Sequence, residues 1–198
     1  MENWMKDYID TQIEQTQQVL SSIQRDQCLL STIYKAAGAC IEALVDKKKL
    51  ILAGNGGSAA DAQHIAGEFV SRFAFDRPGL PAIALTTDTS VITAIGNDYG
   101  YENIFLRQIQ SHAQIGDVFI AYSTSGRSPN ILRALEEAKR CHVVCIGMTG
   151  NRGGPMLDLC DFCLTVPSSD TPKIQEGHAV IGHILCGLVE QALFRHKS

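Results

Sequence analysis

Short apolar runs alternate with helix-length segments along this chain, and that alternation restricts its fold more than any other feature. Apolar runs bounded by turn residues are typical of buried strands, and strands joined by helix-length crossovers pair in parallel. The sequence therefore predicts an α/β fold in which helices cover both faces of a parallel sheet. The predicted strands are 50–53, 82–85, 117–122, 143–148 and 162–166, and the predicted helices around them are 58–73, one ending near Gly96, 103–113, 129–140 and 173–194.

Two amphipathic helices, predicted over 2–23 and 26–46, precede the first strand. The first helix is rich in Gln and Glu, and it would pack equally well on its own sheet or on another subunit. No linker or repeat divides the chain. We therefore expect one domain over 1–198, with leading helices in 1–46 that serve oligomer packing and an α/β core in 47–198.

Charge and composition argue against several classes of function. The chain has 17 Lys and Arg against 21 Asp and Glu, a net charge of −4, and no basic stripe with interleaved aromatic residues. Nucleic acid is therefore not an expected partner. We expect no apolar run to be long enough to span a bilayer, and Met1 to Asp7 lacks the basic and apolar regions of a signal peptide. These features indicate a cytoplasmic protein with no membrane partner.

The seven cysteines are scattered through apolar segments, a pattern typical of reduced thiols that fill small spaces in a core. Cys160 and Cys163 form a C-x-x-C motif, and Cys141 and Cys145 lie four apart upstream. A structural zinc site or a redox pair is an alternative for the motif. Core packing is favoured, because Cys163 falls in a predicted strand and not at a helix start.

A glycine-rich loop, Gly54-Asn55-Gly56-Gly57-Ser58, joins the first predicted strand to a helix. Free N–H groups and the dipole at a helix N-terminus favour an anion, and Ser58 could cap the helix or donate its hydroxyl. The spacing matches neither the dinucleotide fingerprint nor the P-loop. A tight turn without ligand is the alternative for this loop taken alone.

A second loop, 123–128, follows the third predicted strand and carries the hydroxyls of Ser123, Thr124, Ser125 and Ser128 ahead of Pro129. Proline favours the first turn of a helix, and hydroxyls with helix-start N–H groups suit a phosphate. The carboxyl ends of parallel strands meet at one sheet edge, so the two loops should share a site. Solvated turn hydroxyls are the alternative.

His64 and Glu68 lie four apart on the helix after the glycine-rich loop, so both can reach one metal ion or substrate. Their neighbours are apolar, which argues against a surface ion pair. The last predicted helix adds Gln175, Glu176, His178 and His183 among apolar residues. Each of these histidines, taken alone, is more typical of a hydrogen-bonded core residue than of a ligand.

Together these motifs, with Gly96-Asn97-Asp98 and Ile174-Gln175-Glu176-Gly177-His178, resemble the sugar isomerase (SIS) domain of the phosphoheptose isomerase family over essentially the whole chain. The resemblance implies a flavodoxin-like, five-stranded parallel sheet and a homotetramer with active sites at subunit interfaces. It implies conversion of sedoheptulose 7-phosphate to D-glycero-D-manno-heptose 7-phosphate, the first step toward the heptose of lipopolysaccharide or capsule.

The resemblance also implies roles for individual residues. Glu68 and His183 would be the acid/base pair of an enediol mechanism, and one zinc ion per subunit would be bound by His64, Glu68, Gln175 and His183. Gln175 and His183 are about 12 Å apart along a helix, so both reach one ion only with extended side chains or from two subunits. Arg72 or Lys173 could screen the phosphate charge. The implied substrate-binding residues are Asn55, Gly56, Gly57, Ser58, Glu68, Asn97, Asp98, Ser123, Thr124, Ser125, Ser128 and Gln175.

Two other functions compete with the isomerase. A catalytically silent SIS protein that regulates by binding another protein, as the DnaA initiator-associating protein does, would share the phosphate-binding loops. It would lack the acid/base pair, whereas Glu68 and His183 are both present. An NAD-binding protein is disfavoured by the loop spacing and by the lack of an acidic residue closing the second predicted strand, which ends at Leu85 and Thr86.

Overall fold

The computed structural model describes residues 2–195. Eight helices and five strands are assigned within that range: α1 (Glu2–Arg25), α2 (Gln27–Val45), β1 (Leu50–Ala53), α3 (Gly57–Val70), β2 (Ala82–Ala84), α4 (Thr89–Tyr99), α5 (Leu106–His112), β3 (Val118–Tyr122), α6 (Pro129–Arg140), β4 (Val144–Gly150), α7 (Met156–Leu159), β5 (Phe162–Val166) and α8 (Thr171–Phe194). A 3₁₀ turn, Tyr101–Asn103, lies between α4 and α5.

The five strands form one parallel sheet in the order β2-β1-β3-β4-β5. In the sheet, Leu52 of β1 pairs with Ala84 of β2 and with Ile120 of β3. The strand order reverses between β1 and β3, so the loops that follow these two strands diverge and leave a crevice at the carboxyl edge. The predicted α/β class and the five-stranded flavodoxin-like sheet are confirmed.

Helices cover both faces of the sheet, and each face has its own apolar core. On one face α2, α3 and α8 pack against residues such as Leu52 and Ile120, and Ile23 of α1 joins them. On the other face α5, α6 and α7 pack against Ile51 and Phe119. Neighbouring residues of β1 and β3 thus point to opposite cores, as the alternation of a strand requires. The predicted three-layer arrangement is confirmed.

Several local predictions were wrong. Helix α4 does not end near Gly96 but runs on to Tyr99, because Gly96 fits a helical backbone and the break comes at Gly100, whose φ is +88°. The helix predicted over 103–113 is shorter, since the 3₁₀ turn takes its start. The helix predicted over 58–73 ends at Val70, and α7 lies at 156–159, where no element was predicted. Ser58 does not cap α3, because the helix already begins at Gly57 and Gly56 is its N-cap.

The expectation that no segment is long and apolar enough to span a membrane was also wrong. By length and composition alone, α2 and α8 both satisfy that description. Each of them buries one face in the core: α2 contributes Leu29 and Ile33, and α8 contributes Ile181 and Leu185. Core helices of water-soluble proteins have the same composition, so the two helices are weak indicators of a membrane span.

Candidate active site

The glycine-rich loop is held in place by a paired amide contact with the start of α6. The Asn55 amide donates to Oδ1 of Asn130 (2.9 Å), and the Asn130 amide donates back to Oδ1 of Asn55 (2.8 Å). The Tyr101 hydroxyl also donates to that Asn55 oxygen, at 3.1 Å. Gly54 is required here because a Cβ would collide with the Ser58 carbonyl. Asn55 thus ties the loop after β1 to the helix after β3.

The Ser-rich loop after β3 turns back on itself and meets the loop after β4. The hydroxyls of Ser123 and Ser128 are hydrogen-bonded at 2.9 Å, and Ser125 Oγ accepts from the Arg127 N–H at 3.2 Å. Gly126 has φ +63°, and a Cβ there would collide with the Gly153 carbonyl. The four predicted hydroxyls therefore lie on a compact loop that only glycine at 126 allows.

A cavity of about 270 Å³ opens beside this loop. Its lining combines hydroxyls and cations, since it includes Thr124, Ser125, Arg127, Arg152 and, at the start of α8, Thr171. Hydroxyls, guanidinium groups and a helix N-terminus together suit a phosphate. The two arginines were not among the predicted site residues: Arg127 lies in the predicted loop 123–128, but the prediction there rested on hydroxyls, and Arg152 lies outside that loop.

Three of the four residues assigned to zinc by the resemblance lie together. His64 Nε2 is 3.1 Å from Glu68 Oε1 and 3.4 Å from His183 Nε2. Potential ligand atoms of the three residues all lie within 4.8 Å of one another. The side chain of His64 is about half exposed and that of Glu68 one-quarter exposed, so the cluster opens to solvent. Two imidazoles and a carboxylate are a donor set that zinc prefers, and the residues fit that ion.

The cluster forms because α3 and α8 run parallel and in contact. A Cβ at Gly182 would lie 2.7 Å from Ile65 Cδ1, and a Cβ at Gly57 would lie 2.6 Å from the Gln175 amide nitrogen. Gln175 therefore lies against the first residue of α3, about two helical turns before His64. Within one chain, Gln175 is at the glycine-rich loop, and its role as a metal ligand stays a prediction.

The remaining predicted residues lie elsewhere. Asn97 donates to Asp98 (2.8 Å) on the exposed side of α4, where Asp98 borders a cleft with Arg107 of α5. Lys173 does not face the phosphate cavity. Its ammonium is buried and donates to Thr16 Oγ1 (2.8 Å) and Glu176 Oε1 (3.1 Å), so it ties α1 to the start of α8.

His178 is a core histidine of the hydrogen-bonded kind. It is fully buried, and burial lowers its pKa to about 4 against the opposing effect of its contact with the Thr149 carbonyl. The neutral ring places Nε2 3.2 Å from that carbonyl, where it acts as donor. His178 thus fastens α8 to the end of β4, next to the loop that meets the Ser-rich loop.

Known proteins share both the sequence and the fold. The SIS domain family matches residues 12–150. A phosphoheptose isomerase of Burkholderia pseudomallei is 63% identical over 194 residues, which are 98% of each chain. The chain belongs to the phosphoheptose isomerase family of SIS-domain proteins. Another member, from Aneurinibacillus thermoaerophilus, is 58% identical over 98% of each chain.

Solved structures of phosphoheptose isomerases have the same architecture. The enzyme from Francisella tularensis has a TM-score of 0.91 at 37% identity, over 94% of this chain and 98% of its own. That from Neisseria gonorrhoeae has a TM-score of 0.88 at 34% identity, over 94% and 99%. As a member of the phosphoheptose isomerase family, the chain is an isomerase.

Proposed function

We propose that this site converts sedoheptulose 7-phosphate to D-glycero-D-manno-heptose 7-phosphate. The observation that carries the proposal is the cluster of His64, Glu68 and His183, in a chain that also holds a hydroxyl-rich loop and a cavity of about 270 Å³ lined by hydroxyls and arginines. The names of the relatives at 58–63% identity support the same reaction. The reaction would be the first step of ADP-heptose precursor synthesis, for lipopolysaccharide or capsule.

Moving a carbonyl from C2 to C1 needs one proton removed from C1 and one returned at C2, with an enediol between them. Glu68 supplies a carboxylate that can accept the first proton, and His183 supplies an imidazole that can donate the second. Both groups belong to one cluster through His64, so they face the same bound sugar.

The cluster would hold one zinc ion per subunit through His64, Glu68 and His183, with Gln175 as the further ligand implied by the resemblance. Zinc at this place would polarise the sugar oxygens as a Lewis acid. His64 would act only as a metal ligand, because it is central to the cluster and has no part in the proton transfers.

The phosphate would bind at the Ser-rich loop through Ser123, Thr124, Ser125 and Ser128, with Arg127 and Arg152 screening its charge. The sugar would contact Asn55, Gly56, Gly57, Ser58 and Gln175. Asn97 and Asp98, which lie on the exposed side of α4, would act on the sugar of a neighbouring subunit.

We propose a cytoplasmic homotetramer without nucleic acid or membrane partners. Support comes from α1, whose large apolar side chains Trp4, Tyr8, Ile9 and Ile13 are more than half exposed in the single chain. A row of such residues on one helix is typical of a subunit interface. The single-domain organisation over 1–198, with 1–46 used in packing, is part of this proposal.

A coupled assay with purified protein and sedoheptulose 7-phosphate tests the function directly. Turnover that depends on the protein supports the isomerase. Zinc-loaded, tetrameric protein without turnover would favour the protein-binding regulator, which needs the sugar-phosphate loops but no proton transfer.

Loss of the hydroxyls at Ser123 and Ser125 should weaken substrate binding more than chemistry. We expect the Ser123→Ala, Ser125→Ala double variant to raise KM about tenfold or more with a smaller change in kcat, because phosphate contacts act in both the ground and transition states. Steady-state kinetics measures both constants. Ser31→Ala, at an exposed position of α2 outside the loop, is the control, and an unchanged KM in the double variant would remove the loop from the site.

Replacing His64 should lower the zinc content of the protein. We expect His64→Ala to lose most of the bound zinc in elemental analysis, because an imidazole is removed from the centre of the donor set. The Cys160→Ser, Cys163→Ser variant is the control and should keep its zinc. Zinc that followed the cysteines instead would overturn the assignment of the metal to the histidine cluster.

A further inference from the structure

The C-x-x-C motif has no role in the isomerase site, and its two sulfur atoms lie together. A Cβ at Gly147 of β4 would be 2.7 Å from Cys160 Sγ and 3.2 Å from Cys163 Sγ. Gly147 and Cys163 are also partners in the register of β4 and β5. Both thiols therefore occupy the space that the missing Cβ of Gly147 leaves open.

The two thiols differ in character because of their mutual contact. The side-chain hydrogen bond between them raises the pKa of Cys160, and burial raises it further. The same hydrogen bond lowers the pKa of Cys163, against the effect of burial. Cys163 is thus the sulfur with more thiolate character.

Other cysteines of the chain do not share this arrangement. Cys40, Cys145 and Cys186 are fully buried and fill core space, as the sequence favoured for all seven. The thiol of Cys145 is directed to the Val143 carbonyl at 3.6 Å. Cys160 and Cys163 are only partly buried, so these two residues keep some contact with solvent. Across residues 2–195 no third metal-binding side chain joins the pair, which argues against a zinc site there.

We propose that Cys160 and Cys163 are a reversible redox site that closes to an intrachain disulfide when the chain meets a small-molecule disulfide such as glutathione disulfide. The Cys163 thiolate attacks one sulfur of glutathione disulfide and expels a glutathione thiolate, which takes up a proton. Cys160 then loses its proton and attacks the Cys163 sulfur, and the second glutathione leaves as a thiol. Two protein thiols are oxidised by two electrons, and one glutathione disulfide is reduced to two thiols.

Closure would pull on the short segment that joins the pair to the Ser-rich loop. Cys160 directly follows α7, and α7 follows Gly153 and Gly154, which lie against Gly126. A sulfur–sulfur bond would therefore constrain one end of this segment. Resting on the proposed function, this coupling predicts a higher KM for the oxidised enzyme, by about twofold to tenfold, with kcat changed less.

The direct test uses the full-length folded protein, reduced and then equilibrated with glutathione buffers of increasing oxidised fraction. After thiol alkylation, peptide mass spectrometry should find a Cys160–Cys163 link that a reductant reverses, with Cys28 unlinked. In Cys160→Ser, glutathione should remain attached to Cys163, whereas in Cys163→Ser the remaining Cys160 should react much more slowly. Cys141→Ser, a partly buried cysteine outside the motif, is the matched control and should keep the link.

A link that appears only after unfolding in urea, or equal glutathione attachment to both cysteines without a link, would overturn the proposal. So would zinc held by the pair and released on Cys160→Ser. The detection of the link by mass spectrometry does not depend on isomerase activity. If the link forms and wild-type turnover of sedoheptulose 7-phosphate is absent, the redox site stands and the proposed function fails. If turnover is present and no link forms, the redox site alone fails.

Discussion

Glu68→Gln and His183→Gln should each lower kcat for sedoheptulose 7-phosphate by about 10² to 10⁴, the usual contribution of a general acid or base. Glutamine keeps the size and hydrogen-bonding reach of Glu68 but cannot accept the C1 proton. At position 183 it replaces an imidazole, which can donate and accept a proton, with an amide that can do neither. Steady-state kinetics with zinc-saturated variants measures the effect.

The double variant should be little worse than the poorer single variant, because both residues serve one proton-transfer sequence. Elemental analysis must accompany the kinetics, since both residues also contact His64 and a loss of zinc would lower activity by another route. His142→Asn, in the exposed turn after α6, is the control and should leave kcat unchanged. Near-full activity in both zinc-replete single variants would end the acid/base assignment and favour the regulatory alternative.

Local pattern was sufficient for much of the fold. Strands 50–53 and 162–166 and helix 129–140 have the predicted bounds. Each is an apolar or amphipathic run whose ends are marked by boundary residues such as Pro129. Errors arose where a residue typical of helix ends lies inside a helix. Gly96 lies inside α4, and the helix ends four residues later at a glycine with positive φ. The sequence does not distinguish a helical glycine from one that ends a helix.

Only the parts of the site that belong to local sequence motifs could be predicted from the sequence. The loops and the His64–Glu68 spacing are local, but contact between His64 and His183, 119 residues apart, depends on the parallel packing of α3 and α8. The amide pair of Asn55 and Asn130 and the cations Arg127 and Arg152 come from tertiary structure in the same way. Their residue types carry no signal until the elements that bear them are packed.

One buried ion pair fixes the relative positions of α3 and α8, on which the cluster of His64, Glu68 and His183 depends. Arg77 Nε is 3.0 Å from Glu190 Oε1, and both side chains are at most 2% exposed. The same guanidinium donates to the carbonyls of Glu68 (2.8 Å) and Phe69 (2.6 Å) at the end of α3. Glu190 of α8 also accepts the N–H groups of Phe73 and Ala74. The pair therefore connects the backbone of Glu68 to α8.

Burial favours the neutral form of Glu190, but the two backbone N–H groups and Arg77 outweigh it and hold the pKa of Glu190 below its ordinary value of 4.5. A depressed carboxyl pKa stabilises the folded state at pH above the unfolded value, and the contribution is lost as pH falls through 4.5 toward the folded value. The stability advantage of the wild type over Glu190→Gln should therefore be largest near neutral pH and shrink below about 4.5.

Arg77→Met should lower the free energy of unfolding by about 3 to 5 kcal/mol, because it leaves the Glu190 carboxylate buried without its cation. Urea unfolding at fixed protomer concentration measures the loss, since subunit association would otherwise shift the midpoint.

Arg140→Met is the matched control: its partner Glu137 lies 3.3 Å away, but the Arg140 side chain is 78% exposed, so a change below about 1 kcal/mol is expected. Adding Glu190→Leu to Arg77→Met should recover part of the loss, because no unpaired charge then remains in the core. If Arg77→Met were no more harmful than Arg140→Met, the pair would not be what fixes α3 against α8, and the alignment of Glu68 with His183 would have to come from the apolar contacts of Ile65 and Gly182 alone.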